Sequence, residues 1–105
     1  MSPQLPLQVT RRARREIRAA SAWWDENRPA APDAFRDAID KAFELICTQP
    51  NIGTVATNVK LPDVRRILLS KVQYYLYYRV KSKPYAHVVE VVAIWHTSRY
   101  PDLNL

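Results

Sequence analysis

The chemistry-bearing side chains of this chain gather in its second half: Arg65, Arg66, Tyr75, Tyr77, Arg79, Lys81, Trp95, His96, Arg99 and Tyr100. Arginine forks bind phosphate oxygens two at a time. Tyrosine and tryptophan rings offer stacking faces to bases. A histidine moves a proton near neutral pH. These are the parts of a metal-free ribonuclease: a base, an acid, and cations for the charge that develops on phosphorus. The same parts make a basic, aromatic protein interface. Residue type leaves both readings open. Arg79 equally fits a solvated sheet position, and His96 a packed or hydrogen-bonded one.

Other chemistries find no support. His87 and His96 are far apart in sequence, with no carboxylate pair at ligand spacing on an adjoining strand, so no metal is expected. Ser98 stands near His96 but lacks the glycines of a nucleophile elbow. A chain with one glycine, Gly53, cannot form a glycine-rich phosphate loop. Cys47 is the only cysteine, so no internal disulfide forms, and a reducing cytosol is the expected compartment. Cys47 reads as a small packing residue. No cofactor is expected.

Three β-strands must position the candidate groups. Val64–Leu69 is one. Val72–Lys81 is the next, with Val72, Tyr74, Leu76, Tyr78 and Val80 on one face and Gln73, Tyr75, Tyr77 and Arg79 on the other. Lys81–Tyr85 makes a hairpin connection to Ala86–Trp95. In that last strand Val89, Val91, Ala93 and Trp95 alternate with Val88, Glu90, Val92 and Ile94. Apolar residues on both faces predict a central strand. Tyr75, Tyr77 and the tail His96–Tyr100 are expected to be exposed, and Tyr74, Leu76 and Tyr78 to be core.

The first half supplies the support. Gln4–Val9 reads as a short strand, which Pro3 and Pro6 confine to an edge or make irregular. Thr10 suits the cap of a helix over Arg11–Glu26, with Ala13, Ile17, Ala20 and Trp24 on one face. Arg11, Arg12, Arg14, Arg15 and Arg18 crowd the start of that helix, where they oppose its dipole. Pro32–Thr48 reads as a second helix with Phe35, Ile39, Ala42, Phe43 and Ile46 as its stripe, so the two should form a hairpin. Pro50, Asn51 and Gly53 mark a turn in which Gly53 suits a positive φ. Thr54–Asp63 reads as a loop or irregular edge. The expected fold is α+β, in the order β-α-α-β-β-β, with the helical hairpin covering one face of a C-terminal antiparallel sheet.

At 105 residues the chain fits one domain, 1–105. No apolar run reaches the roughly 18–20 residues that cross a bilayer, and Met1–Thr10 lacks the features of a secretory leader. The net charge is +6. Residues 1–49 hold eight basic and seven acidic side chains, whereas residues 50–105 hold eight basic and three acidic. The excess on the C-terminal half favours an anionic partner, either nucleic acid or an acidic protein segment.

The ordered set of motifs resembles the ParE/RelE superfamily of type II toxin–antitoxin toxins. The runs Val64-Arg65-Arg66-Ile67-Leu68-Leu69, Tyr74-Tyr75-Leu76-Tyr77-Tyr78-Arg79-Val80 and Val89 to Arg99 are similar to that family's C-terminal block. Its pattern is an arginine opening one strand, a Y-x-x-Y-R-V-like strand, and a final strand ending in H-x-x-R. The segments Ala19–Trp24, Phe35–Ile46, Pro50 and Gly53 are similar to its helical hairpin and following turn. The resemblance implies a bacterial, plasmid- or chromosome-borne growth-arresting toxin of the plasmid-stabilisation type. It also implies a cytoplasmic location and a cognate antitoxin that wraps the toxin in a hetero-oligomer. ParE-like members act on DNA gyrase. RelE-like members cut mRNA on the ribosome, which here would use Arg65 or Arg66, Arg79, Lys81, His96 and Tyr100. The lysine-rich segment of RelE-like members is reduced to Lys60. The Trp-rich first helix and the His96-x-x-Arg99 ending look closer to ParE. For a binding toxin the implied target or antitoxin contacts are Arg65, Arg66, Tyr75, Tyr77, Arg79, Lys81, Trp95, His96 and Arg99.

Overall fold

The computed structural model describes residues 4–84, 86–99 and 103–105, apart from the side chain of Lys83. Tyr100, a candidate site residue, lies outside them, as do Pro3, Tyr85 and Asp102. The elements run β1 (Leu7–Val9), α1 (Arg11–Asn27), α2 (Ala34–Thr48), β2 (Thr54–Val55), β3 (Arg65–Leu69), β4 (Tyr74–Lys83) and β5 (Ala86–His96). This is the expected α+β order with one addition, the two-residue edge strand β2.

Local chemistry sets the element ends. The Thr10 side chain accepts the Ala13 N–H at 3.1 Å and so caps α1. Proline and a turn at 29–33 separate α1 from α2. The β3–β4 hairpin turns through 70–73, with Gln73 at φ 61°. Val72 and Gln73 thus belong to the turn, and β4 runs two residues further than expected, to Lys83.

The sheet order is β1-β5-β4-β3-β2. β2, β3, β4 and β5 pair antiparallel, while β1 joins β5 in parallel, making the sheet mixed. As Pro3 and Pro6 foretell, β1 is an edge. β5 has neighbours on both sides, which its two apolar faces require.

One irregularity redirects the site. The β4–β5 register shifts so that Tyr78 pairs with Val91 but Tyr77 pairs with Ala93. Val92 is the extra residue of a β-bulge. Before it, Val89 and Val91 face the helices. Beyond it, strict alternation fails: Ile94 and His96 take the helix face, and Ala93 and Trp95 turn to the opposite one.

Both faces are therefore covered. The helices pack Ala13, Ala20, Phe35, Ile39 and Ile46 against Leu69, Leu76, Tyr78, Val89, Val91 and Ile94. On the far face Ala56, Val64 and Leu103 cover Tyr77, Val92 and Ala93. Among the described residues no helix is long and apolar enough to cross a membrane.

Candidate functional site

The candidate side chains occupy five separate places. Arg65 pairs with Tyr78, so it stands on the helix face, where it donates to the Gly53 carbonyl at 2.7 Å. Arg66 stands on the far face, with its guanidinium carbon 4.1 Å from the centre of the Tyr75 ring. It also reaches the Tyr77 hydroxyl at 3.4 Å. Arg79 and Lys81 both close on Glu90, at 3.0 and 3.4 Å. Arg99 stacks on Trp95, 3.6 Å from the ring centre.

His96 is the fifth place. It packs edge-on to Tyr74, with ring centres 5.0 Å apart, on the helix face. The Ser98 N–H donates to its Nδ1 at 3.1 Å, and the Ser98 hydroxyl lies 2.7 Å away. An N–H can only donate, so Nδ1 carries the lone pair, and the neutral ring bears its proton on Nε2. The bulge at Val92 thus separates His96 from Arg66, Arg79 and Lys81, which all stand on the far face. The strands do not bring these residues together around one phosphate.

Tyr77 was expected to be exposed. It is 1% exposed, in the second core, and its hydroxyl accepts from Asn58 at 3.1 Å. The 56–64 segment and Leu103 cover it, and residue alternation gives no sign of either. Tyr75 and Trp95 remain partly exposed and form a cross-strand pair beside exposed Leu68.

Sequence reasoning passed over three features. Arg12, in the arginine cluster, is partly buried: it pairs with Glu16 at 3.3 Å and donates to the carbonyls of Leu103 and Asn104. Trp23, Tyr74, His96 and Ser98 line a cleft of about 250 Å³. It adjoins one of about 510 Å³ lined by Arg15, Ala19, Trp23, Tyr74 and Arg99. Burial raises the Tyr74 hydroxyl above the usual tyrosine range, and the nearby Arg99 charge partly offsets this. The third feature is an apolar groove of about 260 Å³ between α2 and β3. Ala38, Ala42, Leu45 and Ile67 line it, with Lys41 and Lys71 on its sides. The i, i+4 spacing of Arg12 and Glu16 was a signal for the first. Nothing local signals the other two.

The model of the ParE toxin family of the type II toxin–antitoxin system parDE matches residues 7–101. The chain belongs to the ParE toxin family. A solved structure, "Chromosomal ParDE TA system from P. aeruginosa", matches with a TM-score of 0.66 at 19% identity, covering 90% of this chain and 98% of that one. At that identity the likeness is one of fold. No curated protein sequence matches significantly. The ParE family assignment accords with the β-α-α-β-β-β order and with the sheet motifs that suggested it.

Proposed function

We propose that this ParE family member is a toxin that acts by binding, inhibiting DNA gyrase, and that a cognate antitoxin neutralises it. Family membership over residues 7–101 supports the toxin reading. The separation of the catalytic candidates carries the choice of binding over cutting: His96 lies on the helix face, while Arg66, Arg79 and Lys81 lie on the other. Arg79 and Lys81 also share the single Glu90 carboxylate, which offsets one of their two charges. A general base must stand within hydrogen-bond reach of the proton it takes, and the cations must meet the same phosphate.

The apolar groove between α2 and β3 supports the antitoxin reading. Its apolar lining and two lysines suit an amphipathic segment bearing acidic residues. The resulting assembly is a toxin–antitoxin hetero-oligomer.

A supercoiling assay tests the target. Purified full chain, titrated against gyrase, is expected to stop supercoiling, and added antitoxin to restore it. Supercoiling unchanged at stoichiometric excess of folded toxin overturns the gyrase reading. In the same preparation mRNA on programmed ribosomes is expected to stay intact. Cleavage there that is lost in Arg66→Ala or His96→Ala would make the chain a ribonuclease instead.

A further inference from the structure

We propose that the arginine ridge of α1 and the aromatic cleft at its foot bind single-stranded nucleic acid, the ridge taking phosphates and the cleft one unstacked base. The ridge and Trp23 lie outside the gyrase and antitoxin contacts named above, and the cleft shares only His96 and Arg99 with them.

The ridge is costly to the chain that carries it. Arg11, Arg14, Arg15 and Arg18 are all exposed, and the first turn of α1 holds no acidic residue. Positive charge at a helix start opposes the dipole. Arg11 and Arg15, and Arg14 and Arg18, are like-charge pairs at i, i+4, which destabilise a helix further. Among the described residues none of these four joins an ion pair. Arg12 differs, because Glu16 and the C-terminal carbonyls hold it. Arg14 donates to the Val9 carbonyl at 3.3 Å, but no carboxylate offsets any of the four charges among the described residues, so an external anion is their natural partner.

The geometry suits a phosphate chain. Arg11, Arg15 and Arg18 follow i, i+4, i+7 and form one stripe, with about 6 Å of axial rise between the first two. All basic residues of α1 are arginine, whose fork meets phosphate oxygens in pairs. Arg15 joins the stripe to the cleft, whose lining also includes Glu16, its carboxylate held by Arg12 and the Ile94 N–H. Arg15 and Arg99 flank the cleft, and Ala19 and Ala20 make a low floor. Trp23, which is 47% exposed, stands with Tyr74 and His96 in its continuation. The Nε2–H left on His96 by the Ser98 bond is a donor for a base edge. A cationic track beside exposed aromatic rings is how single strands are held without sequence preference.

An acidic protein segment fits less well. Amphipathic segments anchor through apolar side chains in a hydrophobic groove. The groove of that kind lies between α2 and β3. Arg15 of the stripe instead borders the cleft that holds Trp23 and Tyr74, rings on which every base can stack.

Fluorescence anisotropy with labelled 12-nucleotide poly-dT and poly-U tests this on the full chain. Binding is expected at 50 mM salt and should weaken steeply towards 200 mM. Removing two phosphate contacts in Arg15→Ala/Arg18→Ala should reduce the slope of log K against log salt by about 1.4. Alanine favours helix, so that variant should keep its circular dichroism. Trp23→Ala should weaken binding roughly 5- to 150-fold with the slope unchanged, the range expected for one lost stacking contact. Arg36→Ala/Lys60→Ala removes two exposed charges elsewhere and should leave the slope alone. Three results would overturn the proposal: no binding at 50 mM salt, an equal loss of slope in the Arg36/Lys60 control, or full affinity in Trp23→Ala. So would polyglutamate of equal charge competing as well as the oligonucleotide, which would make the ridge a site for acidic protein. The titration contains no gyrase, so its outcome is independent of the target reading.

Discussion

At the scale of single residues, Tyr78 and Gly53 form the junction between the 50–53 turn and the sheet. The Tyr78 hydroxyl accepts the Gly53 N–H at 2.9 Å and donates to the Pro50 carbonyl at 2.8 Å. Tyr78→Phe would bury both backbone groups without partners, so it should cost about 1–3 kcal/mol, read as a lower urea midpoint. The same residue sets an alkaline limit. Burial raises the Tyr78 hydroxyl above the ordinary range, and the Gly53 N–H and the Arg65 charge partly offset this. The folded state therefore favours the protonated phenol. Its contribution is whole below the unfolded tyrosine pKa of about 10 and is lost as pH rises through the higher folded value. Unfolding followed from pH 9 to 11 should show a steeper loss in the parent chain than in Tyr78→Phe. The turn at Gly53 was legible in sequence, but its reason was not. Gly53 has no positive φ. A Cβ there would meet the Tyr78 hydroxyl at 2.8 Å and the Arg66 carbonyl at 2.9 Å, so close approach is what requires glycine. That approach involves residues 13 and 25 positions away, which no local pattern reveals.

At the scale of elements, α1 and β5 are joined through the bulge. The Glu16 carboxylate accepts the Ile94 N–H at 3.3 Å through one oxygen and pairs with Arg12 through the other at 3.3 Å. A bulge disrupts the ladder locally, and the helix supplies a partner for an N–H just beyond it. Glu16→Ala should cost about 1–3 kcal/mol and raise exchange at the Ile94 amide, measured by hydrogen exchange. Glu16→Gln keeps an acceptor and should lose less. Helix limits, the edge position of β1 and the central position of β5 were all legible, because periodicity and proline report them directly. The bulge was not, since Val91-Val92-Ala93-Ile94 is apolar at every position and carries no alternation to break. This blind spot put Ala93 and Trp95 on the face of Val89 and Val91, and Ile94 on that of Glu90, and it left His96 free to be grouped with the basic residues.

At the scale of the whole molecule, charge and core are both distributed otherwise than composition suggests. Counting placed the positive excess on residues 50–105. The fold spends Glu90 on Arg79 and Lys81, and stacks Arg66 and Arg99 on aromatic rings. A second run of exposed positive charge, Arg11, Arg14, Arg15 and Arg18, stands on α1. The far side of the sheet, expected to offer Tyr77 to a partner, is closed by a second core that Leu103 completes at 1% exposure. Arg12 holds the Leu103 carbonyl, and the Lys60 and Leu61 N–H groups bind the Leu105 oxygen at 2.9 and 3.1 Å. The three attachments fix one short segment across α1, the 56–64 loop and the sheet. If Leu103 holds this face closed, Leu103→Ala should cost about 2–5 kcal/mol, the range for a buried leucine whose site cannot collapse. It should also raise Tyr77 accessibility and exchange at the Lys60 and Leu61 amides, while amides in α2 follow only the global change. A cost below about 1 kcal/mol with unaltered exchange at Lys60 would mean that the strands hold Tyr77 without the segment. The second face would then be open to a partner, as the sequence first suggested.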